Sequence, residues 1–368
     1  MKKEFISIRQ GIALLVLFII DGTVMLPTAA EAGKDLWMSI VISIIFTIPM
    51  IFIYSKLLLM YPHKDFFDIL EIIFGKYIGK IIGILYIWFS FHLSALVLRD
   101  FGEVFNILLP ETPMVIIFIP LLIVCVWGIK EGIEVLGRVA KFFMPLIIFF
   151  ILFFVIVLIH KMNINNIRPV LMNGMKPVMK GAFSAFSFPF GEIIIFIMIF
   201  SSLQKEEKTY KVYLLGLIIG GVLILIIKLT NVLVIGINKY SFQYFPGIAA
   251  VRRAGVGKAI KSIEMLSFII IFTGGFIKIS ISMLASIKGI AKLFDITDYR
   301  FIVVPMSLMM LNLAYIISDN IMDFVNWSAK IWPYYAFPFQ VIIPVLIFIT
   351  AKIRRMDKLK KLGGKVIE

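Results

Sequence analysis

The sequence predicts an all-α polytopic membrane protein of ten transmembrane helices, built as two five-span halves of inverted topology with the first and sixth helices broken. Three observations predict it. Hydrophobic residues make up 61% of the 368 positions and charged residues only 16%, for a mean hydropathy of +1.02; a soluble domain of this length has too little interior to hide so much apolar surface, whereas a polytopic protein exposes it to lipid. The apolar residues are gathered into runs of membrane-crossing length. Two of those runs, at corresponding places in the two halves, carry a carboxylate, a glycine and a proline at mid-depth.

In chain order the runs cover 11–30, 37–60, 78–107, 114–127, 133–159, 183–200, 212–237, 263–294, 301–317 and 332–351. Crossing roughly 30 Å of hydrocarbon takes about 20 helical residues, so the fourth is short and the third and eighth long enough to tilt or to extend beyond the bilayer. The basic start, Met1-Lys2-Lys3, precedes a long run with no small-residue cleavage site before Trp37, which reads as a retained first span. Residues 1–351 form one transmembrane domain, with repeats at about 7–160 and 181–351, and 352–368 form a basic cytoplasmic tail.

Of the 37 lysines and arginines, 23 fall on the N-terminal side of this arrangement, 12 on the other, and Lys228 and Lys278 lie inside spans. The positive-inside rule therefore places both termini in the cytoplasm, and the net charge of +15 is topology charge, not a nucleic-acid footprint. Two outer loops, 161–181 and 238–262, hold most of the dissenting charges, but long loops weigh little in the rule. In the second, Phe245-Pro246-Gly247 reads as a turn opening a short helix, a candidate outer lid. Trp37, Trp127, Trp327 and Trp332 sit near span ends, where indoles favour the interface. Gly75, Gly79 and Gly83, and Gly216 with Gly220, recur every four residues, a spacing that lets neighbouring helices approach closely.

The interruptions are Asp21-Gly22-Thr23-Val24-Met25-Leu26-Pro27 in span one and Ser187-Phe188-Pro189-Phe190-Gly191-Glu192 in span six. Proline removes a backbone donor and clashes with the preceding turn, glycine weakens the helix, and the carboxylate stands where hydrocarbon is expected. Backbone unwound at that depth must face protein or a water-filled cavity. Paired interruptions in opposite-topology halves point to an inverted-repeat transporter site, in which half-helix N–H groups attract an anionic group and freed carbonyls a cation. A zwitterionic amino acid suits both ends.

Lys228 and Lys278 are flanked by apolar residues and must find a partner inside the bundle or lose their proton. Glu192 is the nearest candidate partner in depth; such a pair is either structural or places an ammonium where a transporter would hold sodium. Asp21 is read as a half-helix N-terminal cap in preference to a ligand carboxylate. Glu192 is left with three roles: ligand contact, lysine partner or cap. Arg99, Asp100 and Glu103 read as a surface ion-pair cluster, and His92 as a buried hydrogen-bonded ring. Cys125 is the sole cysteine and His63, His92 and His160 are scattered, so no disulfide, thiolate or histidine metal site is expected, and no cofactor. With neither a phosphate loop nor a nucleophile–base pair, the sequence does not read as an enzyme.

The start Ile6-Ser7-Ile8-Arg9-Gln10 leading to Leu26-Pro27, the linker Ala32-Gly33-Lys34-Asp35-Leu36-Trp37, Leu98-Arg99-Asp100-Phe101 and Phe188-Pro189-Phe190-Gly191-Glu192 together resemble, in order and over nearly the whole chain, the spore germination permease family. That family supplies the B subunit of Ger-type nutrient receptors and is related to the amino acid/polyamine/organocation permeases. The chain departs from it at Asp21, at or near which the family usually has glycine. The resemblance implies a LeuT-like fold with a site formed by spans one, three, six and eight, location in the spore inner membrane, and assembly with A-type and C-type subunits. It also implies an amino-acid or similar germinant. By position it assigns ligand contacts to Gly22, Thr23 and Val24, to Phe91 and Ala95, to Ser187, Phe188 and Gly191, and to Thr273 and Gly274, where a Gly-Gly pair would loosen span eight. The expected function is a nutrient-sensing subunit that signals to its partners; the alternatives are an amino-acid permease driven by protons or exchange, and a structural scaffold, which leaves the paired interruptions unexplained.

Overall fold

In a computed structural model, which describes residues 4–24, 26–106, 109–253 and 259–363 and side chains in the last stretch over 267–354, the runs become helices. Among the described residues nine helices are long and apolar enough to cross a membrane, and the remaining predicted span is the shorter apolar helix α1 (Ile8–Ile20). The motif Ser7 to Gln10 starts α1 as a capping box: Ser7 N–H donates to Gln10 Oε1 at 2.7 Å and Gln10 N–H to Ser7 Oγ at 3.3 Å. α1 is short because the chain leaves the helix at Asp21 and Gly22, the latter at φ +60°.

Then follow α2 (Leu36–Met60), the short α3 (Phe66–Phe74), α4 (Lys76–Asn106), α5 (Met114–Glu131) and α6 (Ile133–Leu158). The second half runs α7 (Met175–Ala185), a wide turn over Phe186–Phe190, a tight 3₁₀ segment Gly191–Met198, α8 (Thr209–Ile235), α9 (Ile237–Phe242), α10 (Pro246–Arg252), α11 (Ala259–Leu293), α12 (Val303–Ile316), α13 (Ile321–Lys330), α14 (Trp332–Phe337) and α15 (Ile343–Gly363). Gly132, at φ +93°, turns the chain from α5 straight into α6, a conformation that residues with a side chain rarely adopt. The predicted end of span three at Ile107, the loop stretch 254–258 and the last residues of the tail, 364–368, lie outside the described residues.

Several boundaries differ from the sequence reading. Span six begins at Met175, not near 183, because the exposed Lys176 and Lys180 interrupt the apolar run while Val178, Ala182 and Ala185 stay buried. The basic tail continues α15 as helix to Gly363. The Gly274-Gly275 pair does not loosen span eight, since α11 is continuous through it. Trp332 is buried against the bundle, with only Trp127 of the four predicted interface indoles strongly exposed.

α4 and α11 form the most extensive helix pair, at the centre of the bundle. α1 packs on α8, while α7 packs on α2, so the first span of each half lies against the second span of the other, as an inverted repeat requires. One glycine stripe, Gly216 and Gly220, serves the α1–α8 contact, and the other, through Gly79 and Gly83, lets α3 lie against α4. A Cβ on Gly216 would stand 2.6 Å from Leu15 Cβ, and one on Gly79 would stand 2.8 Å from the backbone of Glu71, so both stripes belong to packing within the chain. Gly216→Val is expected to force α8 off α1 and cost about 1–3 kcal/mol. Thermal unfolding in detergent checks it, with the lipid-facing Ile218→Val expected to leave the midpoint unchanged.

Candidate functional site

Both interruptions free backbone groups that the rest of the fold satisfies. At the end of α1, Thr23 Oγ1 donates to the carbonyls of Ile20 at 2.6 Å and Ile19 at 3.1 Å. Beyond it, Lys228 Nζ donates to Leu26 O at 2.5 Å, and the Tyr240 hydroxyl accepts from Thr28 N–H at 2.9 Å and donates to Thr28 O at 3.0 Å. In span six the helix opens at Phe188 (φ −140°, ψ 112°). The freed Ser187 carbonyl accepts from Gln340 Nε2 at 2.9 Å and Trp332 Nε1 at 3.3 Å. Gly191 is required there because any Cβ would run into the Gln340 amide.

Between the two breaks lies a cavity of about 130 Å³, on the side of the molecule opposite the N-terminus; at about 10–15 Å³ per water it has room for roughly ten. Asp21, Gly22, Leu26 and Thr28 wall it from span one, Leu93, Leu96, Val97 and Asp100 from α4, Phe188 and Glu192 from span six, and Lys278 from α11. Phe324 and Trp327 of α13 and Trp332 of α14 close its outer part. Glu192 and Lys278 are both fully buried, with Lys278 Nζ 2.7 Å from Glu192 Oε2 and 4.7 and 5.3 Å from the ring centres of Phe188 and Phe18. Beyond this ion pair, neither Glu192 oxygen has a hydrogen-bond partner among the described residues. A close ion pair with spare acceptor capacity thus forms the cavity floor.

Of the residues singled out in the sequence, Asp21, Gly22, Phe188, Glu192 and Lys278 converge on this cavity. Gly274 supports it from behind, since a Cβ there would stand 3.0 Å from Asp21 Cβ. Asp21 ends α1, with its N–H on Leu17 O at 3.1 Å, so it does not cap a half-helix N-terminus. The others sit elsewhere. Thr23 and Thr273 bond carbonyls of their own helices, Ser187 and Gly191 face the Gln340 region, Val24 lines a smaller pocket beside Asn231, and Lys228 serves Leu26. Phe91 and Ala95 are off the cavity lining; α4 presents Leu93, Leu96, Val97 and Asp100 instead, a face spaced three and four residues apart.

That face corrects the reading of Arg99, Asp100 and Glu103 as a surface cluster, for all three are buried. Arg99 pairs with Glu103 at 2.7 Å and donates to Ser318 O at 2.6 Å and Tyr315 O at 3.2 Å, whereas Asp100 turns to the cavity. His92 is buried and stacked on Trp88, and its Nδ1 has no hydrogen-bond partner among the described residues. Asp100, Gln340 and the inward tryptophans were missed because a charge beside Arg99, an amide and an indole near a span end each have commonplace surface explanations. The spacing 93, 96, 97, 100 was the available signal.

A family model described as spore germination protein matches residues 5–322. The chain belongs to the spore germination protein family. It is 26% identical over 367 residues to spore germination protein KB of Bacillus subtilis (strain 168), covering 98% of each chain. It is 26% identical over 270 residues to spore germination protein XB of Bacillus anthracis, covering 72% of this chain and 74% of that one. In structure it resembles MhsT in complex with L-phenylalanine (TM-score 0.67, 13% identity, 95% of this chain and 100% of that one). It also resembles Mhp1, a nucleobase-cation-symport-1 family transporter, in a closed conformation with bromovinylhydantoin bound (TM-score 0.66, 14% identity, 91% and 79%). The fold is therefore that of LeuT-type transporters, and the chain is an integral multi-pass membrane protein.

The ion pair on the cavity floor has a measurable signature. Lys278→Met strands a buried carboxylate and is expected to cost about 3–5 kcal/mol. Adding Glu192→Gln should recover most of that loss in a detergent melting experiment. Equal midpoints for the single and double variants would show that the two groups do not depend on each other.

Proposed function

We propose that this protein is the nutrient-sensing subunit of a spore germinant receptor, residing in the spore inner membrane with both termini on the core side, and that it binds a small amino acid or similar germinant in the cavity between the broken spans. The observation that carries the reading is the cavity itself: two interrupted spans, each with its freed carbonyls held by other elements, enclose buried unpaired polar atoms beside aromatic walls. Relatives that are spore germination proteins supply the context, and A-type and C-type subunits are the expected partners.

The occupied state signals only if ligand prefers one conformer of the bundle over another. The segment that reports it is the outer α9–α10 region, because Tyr240 on α9 clamps Thr28, a cavity wall residue. The test begins with a thermal-shift screen of the common amino acids on the purified full chain. A hit is followed by spore germination with the parent or Gly22→Val, whose side chain would crowd Asp100 Oδ2 (3.1 Å) and the Phe188 ring (3.3 Å) at a strained φ of +60°. Loss of response with the variant still present in the membrane and co-purifying with its A-type and C-type partners is the expected result. In hydrogen exchange, ligand should slow the amides of 237–252; unchanged exchange there would remove the lid from the mechanism.

An amino-acid permease is the second reading, favoured by a wide vestibule of about 1020 Å³ at the other end of span six, reaching Met198 and Ser201. Saturable uptake of the ligand by the chain alone in liposomes would select it.

A further inference from the structure

The charges around the central cavity do not balance. Its lining holds the carboxylates of Asp21, Asp100, Glu192 and, toward the mouth, Glu31, against the single ammonium of Lys278. That ammonium is committed to Glu192 at 2.7 Å and boxed by Phe188 and Phe18. Of the neighbouring cations, Arg99 is paired with Glu103, and Lys228 donates to Leu26 O and reaches Asp100 only through its field, outside the cavity lining. Asp21 and Asp100 remain. They are 4% and 7% exposed, and Asp21 Oδ2 and Asp100 Oδ1 have no hydrogen-bond partner among the described residues. Asp100 Oδ2 lies 3.1 Å from where a Cβ on Gly22 would stand, so the absence of a side chain at Gly22 keeps Asp100 open to the cavity that Asp21 also lines.

An unpaired buried carboxylate is costly unless a cation or a proton joins it. A metal ion is a poor match, since no three acidic, histidine or cysteine side chains converge on one point among the described residues. An ammonium group is a good one, because it needs few fixed ligands, donates several hydrogen bonds, and tolerates the faces of Phe188, Trp327 and Trp332 around it. We infer that the ligand is recognised through an ammonium group held by Asp21 and Asp100, and that a carboxylate on the ligand adds little, because the one cation in the lining, Lys278, is already neutralised by Glu192 at 2.7 Å. The ligand class is then a primary amine with a small apolar body, of which amino acids are one kind. This rests on the cavity being the ligand site proposed above.

Matched triplets separate the two statements: alanine, ethylamine and propionate; valine, isobutylamine and isovalerate; leucine, isoamylamine and 4-methylvalerate; phenylalanine, phenethylamine and 3-phenylpropionate. Each is titrated against the full chain in lipid nanodiscs, reading the intrinsic tryptophan fluorescence, to which Trp327 and Trp332 of the cavity wall contribute, and the unfolding midpoint, with sodium and potassium chloride as separate arms. On the skeleton that binds, the amine should come within roughly tenfold of the amino acid and the acid should be weaker by about 100-fold or more, the loss expected when a buried charge pair is denied one partner. Asp100→Asn should weaken amine binding by a similar factor; if that variant does not fold, the triplets on the unaltered chain decide. Binding of the acid but not the amine overturns the inference and leaves the proposed germinant site standing, as does stabilisation by sodium or potassium with no response to amines. Silence from every probe overturns both together.

Discussion

A peptide carbonyl at membrane depth has no water to accept from, and this constraint organises the molecule. Breaking spans one and six exposes such groups, and the sequence elsewhere provides donors for three of them: Lys228 of α8 for Leu26, Gln340 and Trp332 of the last span for Ser187, and Tyr240 of α9 for Thr28. Three separated stretches of chain are thereby tied to two breaks. Lys228 meets this need with its ammonium, which also lies in the field of Asp100.

With the backbone satisfied by other elements, the side chains at the breaks are free for recognition. Glu192 and Lys278 neutralise one another at the floor, and Asp21 and Asp100 stand unpaired above them. In a low-dielectric enclosure, unpaired charge makes the cavity selective for ligand charge before shape is considered. The aromatic side chains of α13 and α14 then offer apolar area to whatever body the charged group carries.

The spans, the two interruptions and the glycine contacts were legible because each leaves a local mark: a hydropathic run, a proline beside a carboxylate, a four-residue spacing. Pairing of Glu192 with Lys278 was legible as one of three alternatives, by depth. The direction a residue faces was not legible when hydrophobicity surrounded it on all sides. The middle of α4 is apolar on every face, so Phe91 and Ala95 could be told from Leu93 and Leu96 only by taking Asp100 as the marker of the inward face, and Asp100 was grouped with Arg99 although consecutive helical residues diverge. The start of span six was hidden by Lys176 and Lys180, which sit on the exposed side of an otherwise packed helix. Gln340 has no local mark at all; its role exists only because a distant carbonyl lacks a partner.

Gln340 also joins elements that do not otherwise share a function. Its carbonyl accepts from the Tyr54 hydroxyl of α2 while its side chain donates to Ser187, and the helix it belongs to continues as α15, whose Leu346, Ile349 and Ile353 are exposed. Span two, the break in span six and an outward-facing ridge are therefore mechanically one unit. For any neighbour that favours one geometry of the break, thermodynamic linkage would work in both directions: its contact with the ridge would bias the break, and a change at the break would alter how well the ridge receives it.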